Sequence, residues 1–303
     1  MEVSVLRAGM QTTFQDLGRT AYRADGVPRG GAMDRFALRV ANLLVGNEAG
    51  APALEFAMVG PDLAFSHDAL IAVTGAAFPG VPRWQPVRIE AGSVLSLGPA
   101  LEGCRGYLAI AGGFETAAIL GSASVYARGG FGHVLQDGEV LHAPNLTRTV
   151  LGRWWIDPRM LPAYSASPTV RVVPGDQASE FGRSLYEAPY TVTAQGDRMG
   201  IRLKGPALVR QSHEELGSHP VVPGTVQVPR DGQPIVLMAD AQTIGGYPQV
   251  AHVARADLPL VAQLRPGDVL TFVETTLQDA HESLLARERS VAMLRNGLSR
   301  KLR

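Results

Sequence analysis

The residues best equipped for chemistry lie in one stretch, Gly224 to Val250, which reads GTVQVPRDGQPIVLMADAQTIGGYPQV. Asp240, Gln242, Thr243, Gly245, Gly246 and Tyr247 fall within eight positions directly after an apolar run. A carboxylate can move a proton, amides and a hydroxyl can bind polar oxygens, and paired glycines let a backbone approach a ligand closely. Asp240 is therefore a catalytic candidate, and Gln227, Gln242, Thr243, Gly245, Gly246 and Tyr247 are candidates for substrate or anion binding. The plain alternative is a tight polar connection between two strands.

A second group lies near the N-terminus. Gln15, Asp16 and Arg19 place an amide, a carboxylate and a guanidinium within five residues. They could bind a polar ligand, or Asp16 and Arg19 could pair and stiffen a turn. Next, Gly26-Val27-Pro28-Arg29-Gly30-Gly31-Ala32-Met33-Asp34 leads a glycine pair into a helix, where free N–H groups and the dipole favour an anion. Gly30 and Gly31 are binding candidates and Asp34 a catalytic one, although Asp34 in the first turn could simply cap the helix. In the second half Arg198, within Asp197-Arg198-Met199-Gly200, could clamp an anionic substrate through a bidentate contact; a surface ion pair is the default alternative. Glu55, between Leu54 and Phe56, is read as facing outward, since an inward carboxylate needs a partner.

Several chemistries are disfavoured. Seven histidines, His67, His133, His142, His213, His219, His252 and His281, have no spacing that brings metal ligands together, so no metal site is predicted. Ser122 and Ser124 lack a nucleophile-elbow glycine pattern, and Gly129-Gly130-Phe131-Gly132 has neither a Walker lysine nor a dinucleotide fingerprint. Lys+Arg 28 balances Asp+Glu 28, and no basic block argues for nucleic acid. Only Lys204 and Lys301 are lysines, so positive charge is nearly all arginine, which suits anion recognition. Neither lysine sits where a covalently attached biotin would be expected. With no apolar run long enough to span a membrane, no secretory leader and a single Cys104, a cytoplasmic protein is expected.

These groups need elements to hold them. Gly 34 and Pro 21 with short β-branched runs predict a mainly β protein with a few helices. Strands are predicted at Val3 to Leu6, Leu70 to Thr74, Val94 to Leu97, Gly106 to Ile110, Thr169 to Val173, Ile201 to Lys204, Thr225 to Val228, Ile235 to Met238 and Val269 to Val273. Helices are predicted at Asp34 to Val45, from its i, i+3, i+4, i+7 apolar stripe, and at Asp176 to Leu185. A charged helix follows Glu274. The Trp- and Pro-bearing stretch Leu151 to Pro168 marks a junction, giving domains at 1–155 and 168–275 and a helical tail at 276–303.

Taken in order, QDLGR, GVPRGGAMD, ANLLVGN, ALEF, YLAIAGGF, LGS, DRMGIRL, the long Gly224–Val250 motif and RPGDVLTF resemble the family of the 5-oxoprolinase C subunit. That family includes KipA-type proteins, the second subunit of so-called allophanate hydrolase, and the carboxyltransferase region of urea carboxylase. The likeness runs from about Val5 to Phe272. It implies two cyclophilin-like β-barrel domains, in a C subunit that works only with two partners, a KipI-like B subunit plus a lactam-opening A subunit. Such a complex opens 5-oxoproline (pyroglutamate) to L-glutamate with ATP as co-substrate. The resemblance also leaves room for a biotin-dependent carboxyltransferase acting on a urea-like amide, and for a non-catalytic antagonist of a KipI-like histidine kinase inhibitor. The pattern departs from the family at Ala123, Val125, His133 and Ile244, so an arginine and two hydroxyls are absent. Anion cradles from the two halves are expected to share one cleft.

Overall fold

Short alternating strands dominate because their apolar residues recur every second position and glycines punctuate them. The computed structural model describes residues 1–146, 155–212, 214–299 and 301. Residues 151–154 of the predicted junction, His213, and residues 300, 302 and 303 of the tail lie outside them. The chain divides into two compact units, one comprising Met1–Arg19, Gly30–Leu161 and Arg289–Arg303, the other Thr20–Arg29 and Pro162–Glu288.

The first unit contains β1 (Glu2–Arg7), β2 (Thr13–Gln15), α1 (Arg35–Leu44), β3 (Ala53–Ala57), β4 (Val59–Phe65), β5 (Ala69–Ala77), β6 (Pro86–Ile89), β7 (Val94–Pro99), β8 (Glu102–Ile110) and β9 (Val140–His142). They form two open sheets, ordered β7-β4-β1-β9 and β2-β3-β8-β5-β6. A barrel was expected here. The sheets part at Met58, whose φ of 60° breaks one continuous extended segment into β3 and β4, each hydrogen-bonded in a different sheet. The core collects Val3 and Val5 of β1, Leu54 and Phe56 of β3, Leu63 and Phe65 of β4 and Leu95 and Leu97 of β7, which alternate inward. Strand β5 is buried along nearly its whole length, and Thr74 on it donates to the Ala37 carbonyl of α1 at 2.7 Å. Helix α1 is accordingly buried at Phe36, Leu38, Val40, Leu43 and Leu44, each worth about 1.5–3 kcal/mol when fully enclosed.

The second unit is built on a closed seven-stranded barrel ordered β10-β17-β14-β15-β12-β11-β18. Its strands are β10 (Thr169–Pro174), β11 (Tyr190–Val192), β12 (Gly200–Lys204), β14 (Thr225–Gln227), β15 (Ile235–Leu237), β17 (Gln249–Val253) and β18 (Val269–Glu274); β13 (His219–Pro220) and β16 (Ile244–Gly245) pair beside it. The circle is closed by the parallel pair β10 and β18, with Val170 opposite Phe272. Short α2 (Leu258–Ala262) precedes β18, and α3 (Leu277–Leu298) follows it. The helix predicted from Asp176 to Leu185 is not α-helical: two 3-10 turns, Ala178–Phe181 and Ser184–Tyr186, are interrupted by Gly182 at φ 58°. All nine predicted strands are present. Those missed, such as β3 and β17, mix polar and apolar residues and show no clean alternation.

Gly106 on β8 is enclosed by the Phe56–Phe78 ring pair, whose centroids are 5.1 Å apart. A Cβ there would stand 2.3 Å from Phe56 and 2.5 Å from Phe78, both in rigid aromatic rings. Gly106→Ala is expected to cost about 1–3 kcal/mol in a chemical-denaturation experiment, whereas Gly217→Ala, with no atom within 4 Å, leaves the midpoint unchanged.

Candidate functional site

In the first unit the polar residues at the start of α1 are joined by buried hydrogen bonds. Asp34 is the N-cap of the helix: its side chain accepts from the Ala37 N–H at 2.9 Å. Its own N–H donates to the Tyr107 hydroxyl at 2.8 Å, and that hydroxyl donates to Glu55 Oε2 at 2.7 Å. The Met33 N–H donates to the same Glu55 oxygen at 2.9 Å. Glu55, expected on the outside, is only 3 % exposed, because β3 turns it toward these donors. Burial foremost, and then the negative charges of Glu55 and Asp34, push the Tyr107 pKa well above its ordinary value. The phenol therefore stays protonated and keeps donating.

The loop after β2 is fastened by Asp16. Its carboxylate accepts from the Ser122 and Ser124 hydroxyls at 2.6 and 2.5 Å and from the Gly18 and Ala123 N–H groups at 2.7 and 2.8 Å. Arg19 is 2 % exposed, donates to the Ser124 carbonyl at 2.5 Å, and lies 5.0 Å over the Phe131 ring. The Gln15 amide nitrogen donates to Thr13 Oγ1 and the Val125 carbonyl, while its buried Oε1 has no donor. Gly30 and Gly31 adopt φ of 63° and 87°, and a Cβ on Gly31 would stand 2.8 Å from the Gly18 nitrogen. Gly31 is thus required by a close backbone approach, and Gly30 by its left-handed backbone.

In the second unit Arg198 grips Asp240 in two parallel bonds, Nε to Oδ2 at 2.8 Å and Nη2 to Oδ1 at 3.0 Å. Both side chains are largely buried, at 14 % and 9 % exposure, so this is an enclosed ion pair and not a surface one. The backbone reinforces it, since Asp240 N–H donates to the Arg198 carbonyl at 2.9 Å. Two residues after Asp240, Gln242 Nε2 donates to buried Gln227 at 3.5 Å, and Gln227 in turn donates to the Tyr247 carbonyl at 3.4 Å. Gly245 leaves room for both amides: a Cβ there would stand 2.9 Å from Gln227 Nε2 and 3.4 Å from Gln242 Nε2. The Thr243 carbonyl accepts from Val221 N–H at 3.0 Å. Gly246 and Tyr247 line a cavity of about 740 Å³ with Phe181, Arg210, Arg230 and Asp231.

The six first-unit candidates, Gln15, Asp16, Arg19, Gly30, Gly31 and Asp34, thus form one set; Gln227, Gln242, Gly245 and Tyr247 form another, and Arg198 and Asp240 form a pair of which Asp240 stands two residues before Gln242 in the chain. Residues 25–274 match the carboxyltransferase domain family, subdomains A and B. The chain belongs to this family. Within the carboxyltransferase-domain family it is 39% identical over 292 residues to the C subunit of Escherichia coli 5-oxoprolinase, covering 92% of this chain and 93% of that one. It is 37% identical to the C subunit of Haemophilus influenzae 5-oxoprolinase, with 92% and 93% covered. Among solved structures, the urea carboxylase of Kluyveromyces lactis superposes with a TM-score of 0.89 at 29% identity, over 100% of this chain and 30% of that one.

In this carboxyltransferase-domain chain, sequence reading missed Tyr107, Gln249 and the environment of His219. Gln249 donates to the Pro220 carbonyl at 3.0 Å, and His219, paired with Gly245 across β13 and β16, has an enclosed Nε2 without a partner. No local signal marks them, because each contact joins strands distant in the chain. Among the described residues no group of three or more His, Cys, Asp or Glu could hold a metal ion, and no helix is long and apolar enough to cross a membrane.

Two outcomes follow from these geometries. Tyr107→Phe removes the hydroxyl that serves both Asp34 and Glu55, and lowers unfolding free energy by about 1–3 kcal/mol by urea titration. Arg198→Gln strands the Asp240 carboxylate and costs about 3–5 kcal/mol, whereas Arg198→Met with Asp240→Leu recovers most of the loss in thermal melts.

Proposed function

We propose that this chain is the C subunit of an ATP-dependent 5-oxoprolinase complex, inactive alone and working with a KipI-like B subunit plus a lactam-opening A subunit. The observation that carries this reading is the end-to-end identity with the 5-oxoprolinase C subunit, which extends over more than nine-tenths of both chains. The closed barrel of the second unit supports the cyclophilin-like reading of that half.

The lactam of 5-oxoproline is a stable amide, so its opening is coupled to ATP. Transfer of the γ-phosphoryl group to the amide oxygen releases ADP and leaves an activated carbon; water adds there, the ring C–N bond breaks, and the nitrogen takes a proton. A second water then hydrolyses the acyl phosphate or its equivalent, giving glutamate and phosphate. Such a path needs cations or N–H groups for carboxylate and phosphoryl oxygens, and a carboxylate to manage protons. In this reading Arg198 and Asp240 are the pair that opens to substrate, the guanidinium taking an oxyanion while Asp240 handles the proton. Gln227, Gln242 and the Gly245-Gly246 backbone bind polar oxygens or the lactam N–H. Asp34, fully buried and committed to its helix cap, positions α1.

The superposition with urea carboxylase favours one second reading, carboxyl transfer from a biotin borne by a partner chain to a urea-like amide. Reconstitution separates the two. With purified A and B subunits, addition of this chain is expected to produce glutamate and ADP from 5-oxoproline and ATP. Asp240→Asn should lower that rate by about 10²–10⁴-fold. A rate no higher than that of A and B alone overturns the proposal, and bicarbonate-dependent, avidin-sensitive turnover establishes the second reading.

A further inference from the structure

His219 stands on β13 of the second unit, and the register places it opposite Gly245 of β16. Opposite residues of an antiparallel pair project from the same face, with Cβ atoms about 4.5–5.5 Å apart. What that face meets is fixed by Gly245. A Cβ there would stand 2.9 Å from Gln227 Nε2, 3.4 Å from Gln242 Nε2 and 3.6 Å from Val221 Cγ1. Val221 extends the same ladder through its N–H to the Thr243 carbonyl at 3.0 Å, and lies two residues beyond His219, so the two side chains share that face. The imidazole and the two carboxamides thus occupy one side of the β13–β16 pair.

All three groups are poorly matched by the protein itself. His219 Nε2 is enclosed with no hydrogen-bond partner. Gln227 is buried, yet its amide reaches the Tyr247 carbonyl at only 3.4 Å and receives Gln242 Nε2 at only 3.5 Å, both at the long limit of a hydrogen bond. Each carboxamide nitrogen carries two hydrogens, and among the described residues each makes that single long bond. Other glutamines of this unit bind closely: Gln249 Nε2 donates to the Pro220 carbonyl at 3.0 Å, and Gln177 Oε1 accepts from the Gln249 N–H at 2.9 Å. Buried polar groups short of partners are costly, so a ligand that completes all three is favoured. The wall that carries His219 is also easily displaced, since each strand of the β13–β16 pair is two residues long and Ile244 is exposed.

We propose that His219 determines specificity at this site, accepting the N–H of a cis amide whose carbonyl oxygen takes the carboxamide N–H groups of Gln227 and Gln242. A neutral imidazole protonated at Nδ1 presents an acceptor at Nε2. A lactam or a cyclic urea shows its N–H and C=O on one edge because the ring holds the amide cis, whereas an open-chain secondary amide is trans and points them in opposite directions. One acceptor beside two donors matches the cis edge and rejects the trans one. The inference deepens the C-subunit reading and rests on it only for which cis amide is the natural ligand.

The test uses the full chain labelled with ¹⁵N-histidine, titrated with 5-oxoproline, ethyleneurea or N-methylacetamide; the His219 ring signals are those missing from His219→Phe. A saturable shift of the Nε2 signal is expected with a cis amide and none with trans N-methylacetamide. His219→Phe should weaken binding about tenfold or more, and His219→Gln, whose side-chain oxygen can take the acceptor's place, should recover most of it. Saturation by 5-oxoproline alone identifies a lactam ligand, by ethyleneurea alone a urea, and by both a site that reads the shared edge; each supports the proposal. It is overturned if neither cis amide saturates, if N-methylacetamide binds as tightly, or if His219→Phe binds as the parent protein does. These readouts need only this chain, so absence of glutamate formation with the A and B subunits would sink the C-subunit reading and leave the His219 result standing.

Discussion

One buried carboxylate orders the first unit. Glu55 receives the Tyr107 hydroxyl and the Met33 N–H, and through Tyr107 it also holds the Asp34 N–H at the start of α1. The first N–H groups of a helix have no partner within the helix, so leaving them buried and unmatched is expensive. Here β3 supplies Glu55, β8 supplies Tyr107, and the cap supplies Asp34 itself. The direction in which α1 leaves Gly30-Gly31 is consequently set by the β3–β8 pairing, where Glu55 stands opposite Tyr107.

The same economy governs the loop that follows β2. Asp16 satisfies two hydroxyls and two backbone donors, and Arg19 closes the loop from the other side through carbonyls and the Phe131 ring. The hydroxyls of Ser122 and Ser124 that looked unremarkable in the sequence are the fasteners. Departures from the family pattern at Ala123 and Val125 flank these serines and spare them. Ala123 contributes through its backbone N–H alone, which any residue but proline provides.

The second unit relies on barrel closure. Its parallel β10–β18 pair joins the two ends of the strand order, which removes both sheet edges and holds the Gly224–Val250 segment across several strands. Arg198 and Asp240 meet because β12 pairs with β15, and the chain continues from both strands in step, Met238 N–H reaching the Met199 carbonyl and Asp240 N–H the Arg198 carbonyl. An enclosed pair of this kind contributes little net stability but holds two charges in one geometry, and separating them is the costly step. That property is what the proposed role of the pair, exchange of an internal counter-ion for a substrate oxyanion, would draw on.

Much of this organisation is legible in the amino-acid order. Alternation of Val3 and Val5 or of Leu95 and Leu97 marks strands, the stripe Ala37, Val40, Ala41, Leu44 marks α1, and Asp240 to Tyr247 announces a polar cluster, because these signals depend only on neighbours in the chain. Asp176 to Leu185 misled for the same reason: local spacing resembled a helix, while Gly182 at positive φ splits it into two turns. Tertiary structure alone decided that Glu55 faces inward and that Arg198 meets Asp240. Each of those outcomes depends on strand register or loop placement between distant residues, and the cost of burying a charge is settled only by what the fold places next to it.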